Sequence, residues 1–280
     1  MSAPTRTEIA GLTCAQWSPE GVSTVLALHG LTSTSEVWRA LAEALPGARI
    51  VAPDLPGRGG SVDVRVGPGL AGHAAAVVRL ADELDLTDLV VIGHSMGAYV
   101  GPLVAAGLGA RVRKVVLLDG GVAPEPGLLV RRPVVRAAFG LQARRLTRRW
   151  RDVEAFVGAI EGRAIANRAD LRPRMSEWAG YLLAGPPGHL RPRVDPARLV
   201  ADAVDTLAGD ATLPVLAAIA APVHVMVARN GKDDHAGPLI SDRAMATGKS
   251  QLPRMTSARL TANHLTMLFD PAVPTAVVAT

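Results

Sequence analysis

The sequence predicts an α/β fold built on a mostly parallel sheet, with a helical segment inserted between two parts of the sheet. Runs of Val, Ile and Leu alternate with stretches of helical spacing in the first 123 residues, and this alternation returns at residue 222. Apolar runs separated by helices are typical of parallel strands that are covered on both faces. With 280 residues, of which 49% are hydrophobic, the chain is long and apolar enough to bury a sizeable core.

The elements of the sheet follow in order along the chain. A hairpin or edge strand is expected at 7–17. Core strands are predicted at 23–30, 48–54, 89–95, 114–120, 222–228 and 257–262. Helices are predicted at 35–45, 69–84, 96–108 and, interrupted by proline, at the end of the sequence. Ser35 is the expected N-cap of the first helix.

The interruption of this alternation defines the expected domain organisation. Residues 124–221 contain helical patterns but no run typical of a strand. We therefore expect an α/β core at 1–123 and 222–280 and a helical cap at 124–221. The helices of the cap are predicted at 128–150, 152–167, 174–184 and 196–208.

Composition excludes several classes of protein. The net charge of +5 comes from a chain with many arginines and three lysines, a bias typical of GC-rich bacterial genomes, and it does not indicate a nucleic-acid partner. No apolar run reaches the roughly 18–20 residues of a membrane span. The N-terminus lacks the layout of a signal peptide. The single cysteine, Cys14, cannot form an internal disulfide, which agrees with a cytoplasmic location.

The strongest functional motif is Gly93-His94-Ser95-Met96-Gly97, which matches G-x-S-x-G between a predicted strand and a predicted helix. A serine at the apex of such a turn needs small residues on both sides so that its hydroxyl projects from the sheet. Ser95 is therefore the predicted nucleophile. The backbone amide of Met96 begins the helix, where partial positive charge collects.

A second amide is expected from the turn that ends the first core strand. His29-Gly30 closes that strand, and Leu31 follows. The amides of Leu31 and Met96 are predicted to form the oxyanion hole that binds the developing negative charge on the substrate. The side chain of His29 is expected only to bond backbone groups in the core.

A serine nucleophile needs a base, and the base needs an acid to orient it. His264 follows the last predicted strand and is the expected base. Asp234 follows the preceding strand and is the expected acid, which gives the chain order Ser, Asp, His. Asp233 is the runner-up at the same turn, and Asp119, which follows the strand at 114–120, is a third candidate.

These motifs resemble the capped α/β-hydrolases. The similar segments occur in the order of that family: HG (29–30), DLPGRGGS (54–61), GHSMG (93–97), LLDGG (117–121) and NHLTMLFDP (263–271). The resemblance implies an α/β-hydrolase fold with a serine triad. Arg58 departs from the family pattern, which usually has histidine in the DxPGxGxS loop.

The resemblance and the triad together predict a hydrolase that cleaves a small to medium, largely apolar carboxylic ester through an acyl-enzyme. Thioester, amide or C–C hydrolysis and perhydrolysis by a haloperoxidase-like enzyme are alternatives on the same triad, and a ligand-binding or biosynthetic protein without turnover is an alternative of another class. The expected partner is a small-molecule substrate. No sequence pattern indicates a cofactor or a metal.

Aromatic residues concentrate in the predicted cap, although they make up only 3% of the chain. Packing within the cap explains them in part. A functional interpretation is that some line an apolar acyl pocket above Ser95. The candidates are Phe139, Phe156, Trp178 and Tyr181.

Overall fold

The computed structural model describes residues 3–67, 69–122, 132–208, 212–252 and 254–279. In these ranges an eight-stranded sheet has the order β1-β2-β4-β3-β5-β6-β9-β10. Its strands are β1 Thr5–Ile9, β2 Leu12–Trp17, β3 Ser23–Leu28, β4 Ala48–Pro53, β5 Leu89–His94, β6 Val112–Leu118, β9 Val223–Ala228 and β10 Met255–Leu260. β2 pairs antiparallel with both of its neighbours, and the strands from β4 to β10 pair in parallel, which confirms the predicted sheet.

The helices follow the predicted pattern with a few differences. Their bounds are α1 Arg39–Ala44, α2 Gly69–Glu83, α3 Met96–Leu108, α4 Arg132–Leu146, α5 Val153–Ile160, α6 Arg172–Leu182, α7 Pro196–Ala208, α8 Thr212–Ala218, α9 Asp242–Gln251 and α10 Ala272–Val278. Residues Ser35–Trp38 form a 3-10 turn before α1, and Ser35 does not cap it, because Thr34 occupies the N-cap. Helices α8 and α9 were not among the predicted elements.

Side chains of the central strands alternate between two apolar layers. In β5, Val91 packs into the layer that contains α2 and α3, whereas Val90 and Ile92 pack into the opposite layer. All three are fully buried. Because the side chains on both faces of β5 are buried in apolar layers, the sequence of this strand is a continuous hydrophobic run.

The segment between β6 and β9, called the insertion below and described from residue 132 to residue 221 except for 209–211, holds α4 to α8. It also holds a short hairpin of β7 Leu183–Ala184 and β8 Arg191–Pro192. The prediction that this segment has no strand is wrong to that extent. The predicted domain boundary at 123/124 lies outside the described residues.

The insertion contacts the loops that follow the parallel strands. After β4, the amide of Gly59 donates to the carbonyl of Arg193 at 2.8 Å. After β10, Asn263 Nδ2 donates to the carbonyl of Ala164 at 2.7 Å. Loops at the carboxyl ends of parallel strands form the usual binding edge of such sheets. Among the helices that the structure describes, none is long and apolar enough to cross a bilayer.

Candidate active site

Ser95 lies at the sharp turn between β5 and α3. Its φ of 54° and ψ of −120° are strained for a residue with a side chain, as expected for a nucleophile held on a strand-to-helix turn. A Cβ on Gly93 would lie 2.2 Å from the carbonyl oxygen of Gly97, and a Cβ on Gly97 would lie 2.0 Å from that of Leu28. Both contacts are impossible, so the turn requires glycine at the two positions that the motif supplies.

The loop that carries Leu31 packs directly against this turn. A Cβ on Gly30 would lie 3.2 Å from the Cβ of Ser95. His29 Nε2 accepts from the amide of Leu55 at 2.9 Å, so its other nitrogen, Nδ1, carries the proton and donates to the carbonyl of Gly30 at 2.8 Å. Burial lowers the pKa of His29 to about 4, which keeps the ring neutral.

This arrangement sets the direction of the Leu31 amide. The carbonyl of Gly30 and the amide of Leu31 belong to one trans peptide and point in opposite directions. Because His29 holds the carbonyl, the amide faces the other side of the loop. The amide of Met96 is the first of α3, and first-turn amides have no acceptor within their helix. Both amides predicted for an oxyanion hole thus come from backbone beside Ser95.

His264 pairs with Asp119. Its Nδ1 lies 2.6 Å from Oδ2 of Asp119, which follows β6 and is buried. Asp119 has a φ of 47°, and its other oxygen accepts from the amide of Ala228 at 3.2 Å. The amide of Ser95 donates to the carbonyl of Leu118 at 2.9 Å, so the acid and the serine lie on adjacent turns.

The prediction that Asp234 orients His264 is contradicted by these contacts. Asp234 Oδ1 accepts from Asn263 Nδ2 at 2.8 Å, and Oδ2 accepts from Asn167 Nδ2 at 2.7 Å. The bonds from these amides lower the pKa of the Asp234 carboxyl. The runner-up, Asp233, accepts from the amide of His235 and pairs with Arg163 at 3.1 Å. Neither carboxylate hydrogen-bonds to His264.

The physical reason lies in the loop that follows β9. The amide of Gly231 donates to the carbonyl of Ala236 at 2.8 Å, and the amide of Ala236 donates to the carbonyl of Asp233 at 3.2 Å. These bonds close a compact loop that directs both carboxylates toward the insertion. Strand β6, which Asp119 directly follows, is the neighbour of β9 in the sheet, so the same edge carries carboxylates from two strands.

Two residues that the sequence analysis did not assign to the site hold the loop that carries His264. His94 Nε2 lies 2.8 Å from the carbonyl of His264, and the two rings are 4.6 Å apart. Asn263 is fully buried, and its Oδ1 accepts from the amides of Leu265 and Thr266. The signal for His94 was its position inside the G-x-S-x-G motif. Asn263 directly precedes His264, but no spacing rule singles it out.

The four candidate aromatics have different surroundings. Phe139 packs against the small cluster of α4 and α7 that Leu31 also contacts. Phe156 is fully buried between Trp150 and Trp178, with ring centroids 5.3 and 6.0 Å away. The hydroxyl of Tyr181 donates to Asp54 at 2.5 Å. The contacts of Phe156 and Tyr181 are explained by packing and hydrogen bonding within the protein. A role of the four rings in substrate binding stays a prediction.

The site is built from backbone amides and from Ser, His and Asp side chains. In the part of the chain that the structure describes, no group of three or more His, Cys, Asp or Glu side chains is arranged to hold a metal ion.

Comparisons with known proteins identify the family. The chain is 36% identical over 108 residues to Lipase LipV of Mycobacterium tuberculosis, a match that spans 39% of this chain and 41% of the relative. The structure is similar to that of E-2-(acetamidomethylene)succinate hydrolase, with a TM-score of 0.80 at 22% identity, covering 98% of this chain and 97% of the other. It is also similar to the thioesterase domain from the curacin biosynthetic pathway, with a TM-score of 0.75 at 20% identity and 99% of both chains covered.

The curated relative is matched over only about two fifths of its length, and the two solved structures are too distant in sequence to establish more than the fold. The model of the alpha/beta hydrolase family, however, matches residues 25–280. That match includes the Ser95 turn and the loops that carry Asp119 and His264, and by it the chain belongs to the alpha/beta hydrolase family.

Proposed function

We propose that this protein is a serine hydrolase that cleaves a carboxylic ester of a small to medium, largely apolar substrate. The observation that carries the proposal is the hydrogen bond between Asp119 and His264 beside the strained turn of Ser95. A nucleophile and an acid on adjacent turns, with a base hydrogen-bonded to the acid, form the constellation that acyl-transfer enzymes use.

Each group has one role in the proposed reaction. Ser95 Oγ forms a bond to the ester carbonyl carbon as His264 Nε2 takes the hydroxyl proton. Asp119 keeps the proton of the neutral imidazole on Nδ1 and stabilises the imidazolium that forms. The amides of Leu31 and Met96 donate to the oxyanion of the tetrahedral intermediate.

Collapse of that intermediate breaks the ester C–O bond, and the proton on His264 goes to the leaving alcohol. Water then attacks the acyl-serine, with its proton passing to His264 and from there to Ser95 Oγ. The carboxylic acid leaves, and the enzyme returns to its starting protonation state. Every step uses residues of this chain and water.

The apolar surroundings of the oxyanion loop support the choice of substrate class. Leu31 packs against both layers of the core and against the cluster that Val135 and Val204 form between α4 and α7. An acyl chain bound here would replace water beside apolar side chains, which stabilises the complex by roughly 0.8 kcal/mol for each buried methylene. The similarity to a lipase agrees with such a substrate.

The test combines covalent labelling with a substrate panel. A fluorophosphonate probe should label the wild type at Ser95, and p-nitrophenyl esters should be hydrolysed, whereas Ser95→Ala should lose both properties. Ser33→Ala, which changes a half-buried serine on the Leu31 loop, is the matched control and should retain both. Faster hydrolysis of thioesters or amides would reject the ester assignment. Absence of labelling in the folded wild type would favour a binding protein without turnover.

A further inference from the structure

Arg58 is a fully buried arginine that contacts both residues assigned to the oxyanion hole. Its Nε donates to the carbonyl of Leu31 at 3.0 Å. One terminal nitrogen donates to the carbonyl of Pro56 at 2.9 Å, and the other lies 3.8 Å from Sδ of Met96. A guanidinium presents its donors in a rigid plane, so these contacts fix the orientation of the Arg58 side chain as well as the position of its charge.

The charge of Arg58 is balanced from the insertion. The terminal nitrogen that contacts Pro56 also donates to Oδ2 of Asp202, a fully buried residue of α7. His73 of α2 contacts the same oxygen at 2.8 Å, and Arg198 lies 3.3 Å from the other oxygen. Removal of either Arg58 or Asp202 would leave the other as a buried charge without its partner, which destabilises a protein strongly. The two residues therefore depend on each other for stability.

Backbone bonds join the same two segments. The amide of Asp195 donates to the carbonyl of Gly57 at 2.8 Å, and Arg58 and Val194 form an antiparallel bridge. The start of α7 is therefore docked on the loop that carries Arg58. The position of the insertion on the core and the position of the Arg58 guanidinium are therefore linked.

Leu31 is held on both sides by these contacts. His29 holds the peptide before Leu31 through the carbonyl of Gly30, and Arg58 holds the peptide after it through the carbonyl of Leu31. Two fixed peptides leave little freedom for the residue between them. A shift of about 1 Å in a catalytic group can lower a rate roughly 100-fold, so such restraint matters for an oxyanion donor.

We propose that Arg58, anchored by Asp202 of the insertion, is a positioning residue that holds the Leu31 amide in the oxyanion hole. Docking of α7 thereby completes the catalytic site. This inference rests on the proposed serine hydrolase function. It assigns a role to the residue at which this chain departs from the loop pattern of similar sequences.

The main variant is Arg58→Lys. It keeps the charge that Asp202 needs, but a single ammonium group cannot reproduce the planar set of bonds to Leu31, Pro56 and Asp202. We expect kcat per titrated active site to fall about 100-fold, with KM changed less than threefold. The control is Arg198→Met, which also removes a partner of Asp202 but none of Leu31, and which should keep kcat within threefold of the wild type.

A second variant separates positioning from folding. The double substitution Arg58→Met with Asp202→Leu removes both buried charges. Because neither charge is then left without its partner, the double variant should lose less stability than a variant that removes only one of them. We expect a Tm near that of the wild type with kcat still lowered about 100-fold. Return of kcat together with Tm, or wild-type kcat in Arg58→Lys, would overturn the proposal.

The proposed function is scored separately in the same experiment. Turnover by the wild type and its loss in Ser95→Ala test the hydrolase, whereas the Arg58 variants are compared only with the wild type. An active wild type with equally active Arg58 variants would reject the positioning role alone. An inactive, unlabelled wild type would reject the hydrolase and this inference with it.

Discussion

Replacement of Asp119 by Asn should almost abolish turnover. In the wild type, Asp119 Oδ2 accepts from Nδ1 of His264 at 2.6 Å, which leaves Nε2 as the base. The other oxygen already accepts from the amide of Ala228, so an asparagine that keeps this bond presents its NH₂ group to His264. Nδ1 must then accept, the ring proton moves to Nε2, and the base faces the nucleophile in the wrong tautomer.

The magnitude follows from the loss of that tautomer. The same change in a Ser-His-Asp protease lowers kcat by about 10⁴, which corresponds to about 5.4 kcal/mol of lost transition-state stabilisation. We expect a comparable decrease here, because Asp119 is buried and is the carboxylate that hydrogen-bonds to His264. Hydrolysis of a p-nitrophenyl ester, normalised by active-site titration, measures it, and circular dichroism checks the fold.

Asp234→Asn is the matched control. The asparagine keeps an acceptor for one of the two amides, Asn263 and Asn167, that now donate to the carboxylate. We expect kcat within tenfold of the wild type and a loss of about 1–2 kcal/mol of stability. A larger decrease in kcat for Asp234→Asn than for Asp119→Asn would refute this reasoning and restore the acid that the sequence alone predicted.

Three further predictions concern a carboxyl group, a thiol and two aromatic rings. Glu161 is the C-cap of α5 and is partly exposed, and desolvation raises the pKa of its carboxyl to about 7. The folded chain therefore binds this proton more tightly than the unfolded chain does, so the contribution of Glu161 to stability is lost as pH rises from about 4.5 to 7. Buried His29, whose pKa is lowered, contributes the opposite slope in wild type and variant alike; the difference in unfolding free energy between the wild type and Glu161→Gln, measured by denaturant unfolding at several pH values, should therefore decrease over this range. Burial also raises the pKa of the Cys14 thiol to about 12, so it should react with a thiol reagent only after unfolding, and rapid reaction in the native state would contradict its burial. Phe139→Ala should change the preference for acyl-chain length, because Phe139 packs in the same cluster as Leu31. Tyr181→Phe, which removes the hydrogen bond to Asp54, should lower stability without changing that preference. Hydrolysis rates on C2 to C8 esters test this difference, and equal changes in chain-length preference for the two variants would reject it.

The sheet and the strand-to-helix turn of Ser95 were predictable because each depends on local sequence. A buried strand reads as an apolar run, and a turn that accepts no Cβ at Gly93 or Gly97 demands glycine at both positions. The place of His264 in the loop after the last strand was also predictable from the order of the elements. These features need no knowledge of how distant side chains meet.

The carboxylate that pairs with His264 was not predictable in the same way. Asp119 and Asp234 follow adjacent strands, so topology brings both to one edge of the sheet, and chain order permits either. The choice depends on the internal hydrogen bonds of the loop after β9 and on Asn263, which takes up one oxygen of Asp234. Hydrogen bonds between residues far apart in the sequence leave no periodic pattern from which they could be predicted. The two-residue strands of the insertion escaped prediction because they are too short to show alternation.

The ties between the insertion and the core differ in kind on the two sides of Ser95. On the β4 side, Arg58 and Asp202 are both fully buried. On the β9 side, the pair of Arg163 and Asp233 leaves the arginine side chain 80% exposed. Exposed pairs contribute about 0–1 kcal/mol, whereas breaking a buried pair is costly, so the ion pair on the β4 side ties the insertion to the core more firmly than the ion pair on the β9 side. The β4 side carries Leu31, whose amide we propose as an oxyanion donor, and such a donor stabilises the transition state only while its position is fixed.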